Sequence, residues 1–302
     1  MSALGAEVSA GALGRIQAID HIVLAATDLV SVANDLSCLL GRAPSWRGSH
    51  PSMGTENVLF RLGRLYIEVL APVGEGLVAD ALRHHLEAQG EGLFAIALQT
   101  DDVEACADLL RNRGLSPSDP SAGSGTAQGG AVRHWRTVFL PTDETRGVNV
   151  FVVQHITSLD ELAEAPVLTQ GTVQGVDHVV IMSADADATR DLYREGLAIR
   201  LALDKEFPAW GARQLFFKID GVVLEVGASL EPPVDPLAPD QLWGLCWRTP
   251  DIDAARQRLM DVGWSLSEVR DGRKPGTRVC TVRDHTHGVA TLLLSTDPAP
   301  TT

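Results

Sequence analysis

Cysteine is scarce in this chain, and the few thiols form no recognisable binding motif. Only four of the 302 residues are cysteine, and no two of them make a Cys-x-x-Cys pair. Three of the four lie in apolar segments, where a free thiol packs as a small hydrophobic group. The pattern supports neither a disulfide framework nor a structural zinc cluster, and it favours a reducing, cytoplasmic compartment.

Positive charge and long apolar runs are also in short supply. The chain has 25 basic against 39 acidic residues, a formal charge of -14 and only three lysines. This balance, with no run of basic residues, argues against a nucleic-acid partner. Because no apolar run approaches the roughly 18 residues that a membrane-spanning helix requires, we expect no membrane partner either. The expected partner is a small molecule, and association into a homodimer stays open.

Several familiar catalytic motifs are missing as well. The sequence has no glycine-rich phosphate loop after a strand, no nucleophile elbow and no His-Glu-x-x-His helix. The Ser/Gly/Pro-rich segment 116–130 lacks lysine and a strand-to-helix setting. It is therefore predicted to be a mobile loop or a flexible lid.

The chain does contain an internal repeat. The segment Ile19–Leu24 returns as Val176–Ile181, and Tyr66–Val69 returns as Val223–Val226, in both cases 157 residues downstream. Each copy keeps one histidine and one glutamate inside apolar, strand-like runs. Burying a carboxylate without a partner is costly, so its recurrence in both copies favours metal ligation or acid–base chemistry. The alternative is a buried ion pair of histidine and glutamate that has no chemical role. The repeat points to metal chemistry on a duplicated scaffold.

The repeated polar residues are His21 and Glu68 in the first half and His178 and Glu225 in the second. Side chains alternate between the two faces of a strand, so one residue per strand can point into a concave sheet. An imidazole nitrogen and a carboxylate oxygen suit Fe, Zn, Mn or Ni without selecting among them. The sequence therefore predicts these four residues as ligands of a divalent metal.

The repeat also divides the chain into two domains of ordinary size. We expect the first domain at residues 16–156 and the second at 173–296, joined by an acidic linker at 157–172. A flexible leader is expected at 1–15 and a flexible tail at 297–302. The leader lacks the basic start and apolar core of a signal peptide.

Within each half, the apolar periodicity predicts a strand, a helix and three further strands, and then the same unit again. The predicted fold class is α+β, built from four tandem βαβββ modules.

Three motifs of the first half occur in an order that resembles the glyoxalase-like branch of the vicinal oxygen chelate (VOC) superfamily. They are Asp-His at the start of a strand, His-Pro-Ser-Met-Gly-Thr-Glu-Asn at 50–57 and Leu-Tyr-Ile-Glu-Val at 65–69. The resemblance covers residues 16–156 well and 173–296 more thinly. It implies that pairs of modules wrap into two half-open barrels that hold a divalent metal.

The resemblance places metal ligands on the first and fourth strands of each module. These positions are His21, Glu68, Ala95 and Phe151 in the first half, and His178, Glu225, Gly244 and Leu292 in the second. Each half therefore keeps only two ligands if consecutive modules pair, which is the commoner topology. Pairing of the first module with the third would instead join all four ligands into one site.

Other candidate residues come from the same strands and from a loop. His50, in a turn-rich segment at the expected mouth of the first barrel, is a candidate third ligand or general base. Glu68 is a second candidate for the base. The side chains expected to contact substrate are Tyr66, Phe151, His155, Trp210 and Arg248.

The function implied by the resemblance is that of a divalent-metal-dependent enzyme with isomerase or lyase chemistry. Its substrate is expected to be a small oxygenated molecule, aromatic or dicarbonyl. The alternative is a metal-free binding protein of the same fold, which the missing ligands favour. A ring-cleaving dioxygenase is the least expected outcome, because Gly244 and Leu292 stand where such relatives have ligands.

Overall fold

The computed structural model describes residues 13–296 except Val234 and Pro236. Most of the predicted leader, residues 1–12, and the whole predicted tail, 297–302, lie outside the described residues. The strands of the first half are β1 (Ala18–Ala25), β2 (Trp46–His50), β3 (Thr55–Leu62), β4 (Leu65–Pro72), β5 (Gly92–Gln99), β6 (Ser121–Ala127), β7 (Val132–Phe139) and β8 (Asn149–His155).

The second half has the same order of strands. They are β9 (Gly175–Ser183), β10 (Arg200–Phe207), β11 (Ala212–Ile219), β12 (Val222–Ser229), β13 (Gln241–Arg248), β14 (Arg270–Asp271), β15 (Thr277–Val282) and β16 (Ala290–Thr296). The α-helices are α1 (Leu29–Leu40), α2 (Leu77–Gln89), α3 (Val103–Asn112), α4 (Ala186–Asp191) and α5 (Ile252–Asp261). No helix of the described chain has the length and apolar character that crossing a bilayer requires.

Short polar caps start most of these helices. The Asp28 carboxylate accepts hydrogen bonds from the first-turn amides of α1, and Asp102, Asp185 and Asp251 do the same for α3, α4 and α5. Such caps satisfy backbone donors that have no partner within the helix.

Each half forms its own eight-stranded sheet. The first is a closed barrel with the order β1-β4-β3-β2-β6-β7-β8-β5, and the second is an open sheet with the order β10-β11-β12-β9-β13-β16-β15-β14. In both halves the first strand pairs in parallel with the fourth and antiparallel with the fifth. His21 and Glu68 therefore share one sheet, and His178 and Glu225 share the other. The alternative of a single site built from all four residues is wrong.

The α+β class is as predicted, but the prediction of two half-open barrels is wrong for the first half. Segment 116–130 was predicted to be a mobile loop, and the structure instead contains β6 there. This strand pairs with β7 along its length and with β2 through Gly48↔Ala127 and Ser49↔Thr126. The counterpart β14 has only two residues and lies at the sheet edge, which leaves the second half open.

Successive side chains of a strand point to opposite faces, so β1 contributes to two different apolar clusters. On β1, Ile22 and Leu24 belong to a large apolar cluster that includes residues of both halves, whereas Val23 and Ala25 pack in a separate cluster. That smaller cluster includes Leu82 of α2 and the partly buried Phe151. Its members lie next to the site described below.

The predicted linker, 157–172, packs against the first half. Leu162 is buried with Leu59 and Tyr66, and the Arg42 guanidinium donates to the carbonyl oxygens of Ala165 (2.7 Å) and Val173 (2.8 Å). The segment is thus held by both apolar and polar contacts.

Candidate active site

A large cavity lies inside the barrel of the first half. Its volume is about 590 Å³, and all of its lining residues fall between His21 and His155. This size is typical of a small-molecule site. The wall is mostly apolar and aromatic, and it includes Trp46, Trp135 and Phe94 together with Leu77 of α2.

His21 is oriented by its neighbour in sequence. The register between β1 and β5 shifts between Ile19 and His21, so Asp20 occupies a β-bulge. Its Oδ2 lies 2.6 Å from His21 Nδ1. Bulges re-aim side chains beside functional sites, and here the bulge places the two consecutive side chains in contact. With its Nδ1 proton donated to Asp20, His21 presents Nε2 to the cavity.

Glu68 is held from the other side by an amide. Asn57 Nδ2 donates to Glu68 Oε1 at 2.7 Å and lies 3.2 Å from His50 Nε2. His50 Nδ1 is 3.1 Å from Thr55 Oγ1, and His50 Nε2 is 3.9 Å from Glu68 Oε1. His21, His50 and Glu68 thus converge on one wall of the cavity.

The separation of His21 Nε2 and Glu68 Oε2 is 3.4 Å. This is long for a hydrogen bond between nitrogen and oxygen. Two ligands of one ion, each bonded at about 2.0–2.2 Å, are expected roughly 3.0–3.5 Å apart. The Asp20 carboxylate behind His21 is the usual outer partner of a metal-binding histidine. The residues present therefore fit a divalent metal held by His21 and Glu68.

Three predicted substrate-contacting residues lie around this pair. The Tyr66 ring stacks on the His21 ring with a centroid distance of 4.5 Å, and Phe151 approaches the His21 ring edge-on at 5.4 Å. His155 Nε2 lies 2.6 Å from Asp20 Oδ1, while its Nδ1 is buried without a hydrogen-bond partner. All three line the cavity.

Burial sets the ionisation of several groups in this wall. Full burial raises the pKa of Asp20, but hydrogen bonds from His155 and His21 outweigh it and hold that pKa well below the usual value. Burial lowers the pKa of His50, against the opposing charge of Glu68. Burial also raises the pKa of the Tyr66 hydroxyl well above its usual value, so the phenol stays protonated.

The second half repeats the arrangement in a more open setting. His178 Nδ1 lies 2.9 Å from Asp177 Oδ2, and His178 Nε2 lies 3.6 Å from Glu225 Oε2. Gln214 donates to Glu225 Oε1 at 2.6 Å, as Asn57 does to Glu68. All of these positions follow their first-half counterparts by 157 residues, and Asp177 also lies at a register shift, between β9 and β13.

A second group of possible metal ligands surrounds His178. Ligand atoms of Asp177, His178 and Cys246 lie within 4.8 Å of one another. Burial raises the pKa of the Cys246 thiol, which disfavours the thiolate that binds metals. His178 and Glu225 are half-buried on the open sheet, so a molecule bound there is less enclosed than one in the first-half cavity.

The remaining two predicted substrate contacts lie outside that cavity. Trp210 is 50 % exposed and stacks on Phe207, with the Arg273 guanidinium 4.0 Å from its ring centroid. Arg248 is an exposed residue at the end of β13. Neither lines the cavity that contains His21 and Glu68.

Sequence reasoning missed Asp20, Asn57 and Arg133. Asp20 and Asn57 have polar counterparts 157 residues later, Asp177 and Gln214, so the repeat itself contained the signal. Arg133 lies on the cavity-facing side of β7, the same side as Trp135 and Thr137. It could have been found only by extending the strand alternation back from Trp135.

Two family models match overlapping parts of the chain. The Glyoxalase-like domain family matches residues 19–197, more than half of the chain, and the Glyoxalase/Bleomycin resistance protein/Dioxygenase superfamily matches residues 177–281. No curated protein matches significantly.

Solved structures show the same fold at low identity. A triple mutant of 4-hydroxymandelate synthase from Streptomyces coelicolor superposes with a TM-score of 0.67 at 14% identity, covering 95% of each chain. A hypothetical protein from Staphylococcus aureus gives 0.63 at 12% identity, covering 92% of this chain and 98% of that one. A xylose isomerase-like TIM barrel/4-hydroxyphenylpyruvate dioxygenase fusion protein gives 0.59 at 12% identity, covering 96% of this chain and 50% of that one. The chain belongs to the glyoxalase-like family of the VOC superfamily.

Proposed function

We propose that this protein is a divalent-metal-dependent enzyme whose reaction takes place in the cavity of the first half. The observation that carries the proposal is the 3.4 Å approach of His21 Nε2 to Glu68 Oε2 in the cavity wall. The chemistry proposed is isomerase or lyase chemistry on a small oxygenated substrate, supported on a scaffold of four βαβββ modules.

His21 and Glu68 would hold the ion. A bound ion would supply a Lewis acid that polarises a substrate oxygen and stabilises the charge developing there. The metal is Fe, Zn, Mn or Ni, since imidazole and carboxylate suit all four.

The protein's own groups prepare this wall for the reaction. Asp20 fixes the proton of His21 on Nδ1 and so keeps Nε2 free. Asn57 ties down Glu68 Oε1 and leaves Oε2 facing His21. His50 is the proposed base, because it is the remaining basic group within 4 Å of Glu68.

Metal analysis of matched variants tests the proposal. We expect about one divalent ion per chain, the usual stoichiometry of a catalytic site, in protein purified without chelator. His21→Ala and Glu68→Gln should lose the ion and the activity. His178→Ala and Glu225→Gln remove the same groups from the second half and serve as controls that keep both.

The competing function is metal-free binding of an apolar molecule. The apolar residues at two ligand positions of the family, Ala95 and Phe151, favour it. Protein that holds little metal and whose thermal stability and ligand binding do not change in EDTA would contradict the enzyme proposal and support this alternative.

A further inference from the structure

Arg133 is the cationic side chain of the cavity wall. Arg133 is 7 % exposed, and its Nε and Nη2 are buried with no hydrogen-bond partner in the described part of the chain. Among residues 13–233, 235 and 237–296 no carboxylate forms an ion pair with it. Because side chains alternate between the two faces of a strand, Arg133 faces the barrel cavity, as do Trp135 and Thr137.

A buried, unpaired guanidinium is a costly arrangement, and the protein compensates for it only in part. Arg133 Cζ lies 5.7 Å from the centroid of the Tyr66 ring, near the outer limit of a cation–π contact. This contact supplies no hydrogen-bond acceptor for Nε and Nη2, which have none among the described residues. Native proteins rarely leave buried charged donors unpaired, so the site is built to receive an anion.

The shape of the donor set indicates which anion. The guanidinium of arginine is planar and presents pairs of N–H donors that match the two oxygens of a carboxylate. Arg133 is the one lysine or arginine among the lining residues of this cavity. Glu68, in the same cavity, opposes a second negative charge. A monocarboxylate therefore fits better than a phosphate dianion.

The rest of the cavity lining indicates that the part of the ligand beyond its carboxylate is apolar. Trp46, Phe94 and Phe139 contribute apolar surface, and the volume of about 590 Å³ admits a small aromatic molecule. Tyr66 contacts both the His21 ring and the Arg133 guanidinium. The anion position is thus within one small-molecule length of the His21–Glu68 pair.

We propose that the substrate of this cavity is a small monocarboxylate with an apolar body, and that the Arg133 guanidinium binds its carboxylate. Arg133 thereby sets both the substrate class and the orientation of the substrate in front of His21 and Glu68. The inference rests on the proposed function only in taking this cavity as the reaction site, since the carboxylate contact requires no metal.

Isothermal titration with three probes of one shape tests the proposal. They are 3-phenylpropanoate, the neutral 3-phenylpropanamide and 3-phenylpropyl phosphate. We expect the carboxylate to bind about 10- to 100-fold more tightly than the amide, the range for a hydrogen bond to a buried charge. The phosphate is expected to bind more weakly than the carboxylate. Equal affinity for carboxylate and amide, or a preference for phosphate, overturns the assignment.

Variants on one strand assign the effect to Arg133. Arg133→Met removes the charge at similar volume and should abolish the preference for carboxylate while leaving the amide affinity unchanged. Arg136→Met removes an arginine that pairs with Glu104 on the outer face of β7 and should retain the preference. Arg133→Lys keeps the charge without the planar fork, so an intermediate preference is expected even where the Met variant does not fold. Unchanged preference in Arg133→Met or Arg133→Lys overturns the proposal.

Removing the metal separates this inference from the proposed function. Wild-type protein stripped with EDTA should keep its preference for 3-phenylpropanoate over the amide. Loss of the preference with the metal means that the ion binds the carboxylate, which overturns the role of Arg133 and leaves the metal enzyme standing. A preference that depends on Arg133 in protein that never holds metal supports the inference and refutes the proposed function.

Discussion

Asp20 Oδ2 lies 2.6 Å from His21 Nδ1, and the two residues are consecutive in sequence. Neighbouring residues of a regular strand point to opposite faces, so this contact depends on the bulge at Asp20. The bulge brings the Asp20 carboxylate to Nδ1 of the His21 ring and thereby fixes the orientation of that ring. Asp177 and His178 repeat the contact at 2.9 Å, which provides a built-in control.

We predict that Asp20→Asn weakens metal binding about 10- to 100-fold, the usual effect of losing an outer-sphere partner. The amide no longer holds the proton of His21 on Nδ1, so Nε2 is less available to the ion. Competition with a coloured chelator measures the affinity. Asp177→Asn should leave the tightly bound ion unaffected, and equal losses in the two variants would contradict the assignment of the ion to the first half.

We predict that Gly125→Ala destabilises the fold and disturbs His50. A Cβ at Gly125 would lie 2.9 Å from His50 Cδ2 and 3.4 Å from the Trp135 ring. Overpacking of this kind costs about 1–3 kcal/mol of unfolding free energy, measured by urea denaturation. Gly129→Ala is the control, because an added Cβ there meets no described atom within 4 Å. Similar stabilities of the two variants would refute the close packing of β6 on the cavity wall.

We predict that Leu162→Ala costs about 2–5 kcal/mol of unfolding free energy, as expected for a buried leucine. Leu162 is 2 % exposed and packs against Leu59 and Tyr66. Leu168→Ala, at a residue 60 % exposed, should change stability little. A small effect at Leu162 would show that segment 157–172 behaves as a free linker.

We predict that the four thiols resist alkylation in the folded protein. Burial raises the pKa of each, that of Cys106 to about 11. A raised pKa leaves less reactive thiolate at a given pH, so labelling of Cys106 should keep rising with pH toward that value. Mass spectrometry after iodoacetamide treatment near about pH 8 checks this against unfolded protein, where a thiol of pKa about 8.5 reacts readily. Rapid labelling of folded Cys106 would contradict its burial.

The repeat made the pairing of histidine with glutamate predictable, because identical spacing in two copies places His21 beside Glu68 and His178 beside Glu225. It also contained Asn57 and Gln214, whose role appears only when the strand register is known. Tyr66, Phe151 and His155 follow from strand alternation. Their grouping around one histidine depends on the parallel pairing of β1 with β4, which no local pattern specifies.

The glycines of β6 show where local reasoning fails. Gly123 and Gly125 are residues typical of loops, yet they lie in a strand. Glycine is required at both positions because the Trp135 and His50 rings occupy the space where a Cβ atom would be. Glycine in a strand often marks such a close approach. These close approaches involve residues outside segment 116–130, so the sequence of that segment alone does not predict β6.

The pairing of β2 with β6 also bears on the dissociation of a bound molecule, because it closes the wall of the first-half barrel. A continuous wall leaves only the barrel ends for the entry and departure of a bound molecule. The second sheet offers a lateral exit between its outer strands, β10 and β14. The two halves contain nearly the same histidine and carboxylate groups, so we expect them to differ most in the rate at which a bound molecule dissociates. That difference originates in β6, a strand of small residues far from His21 in sequence.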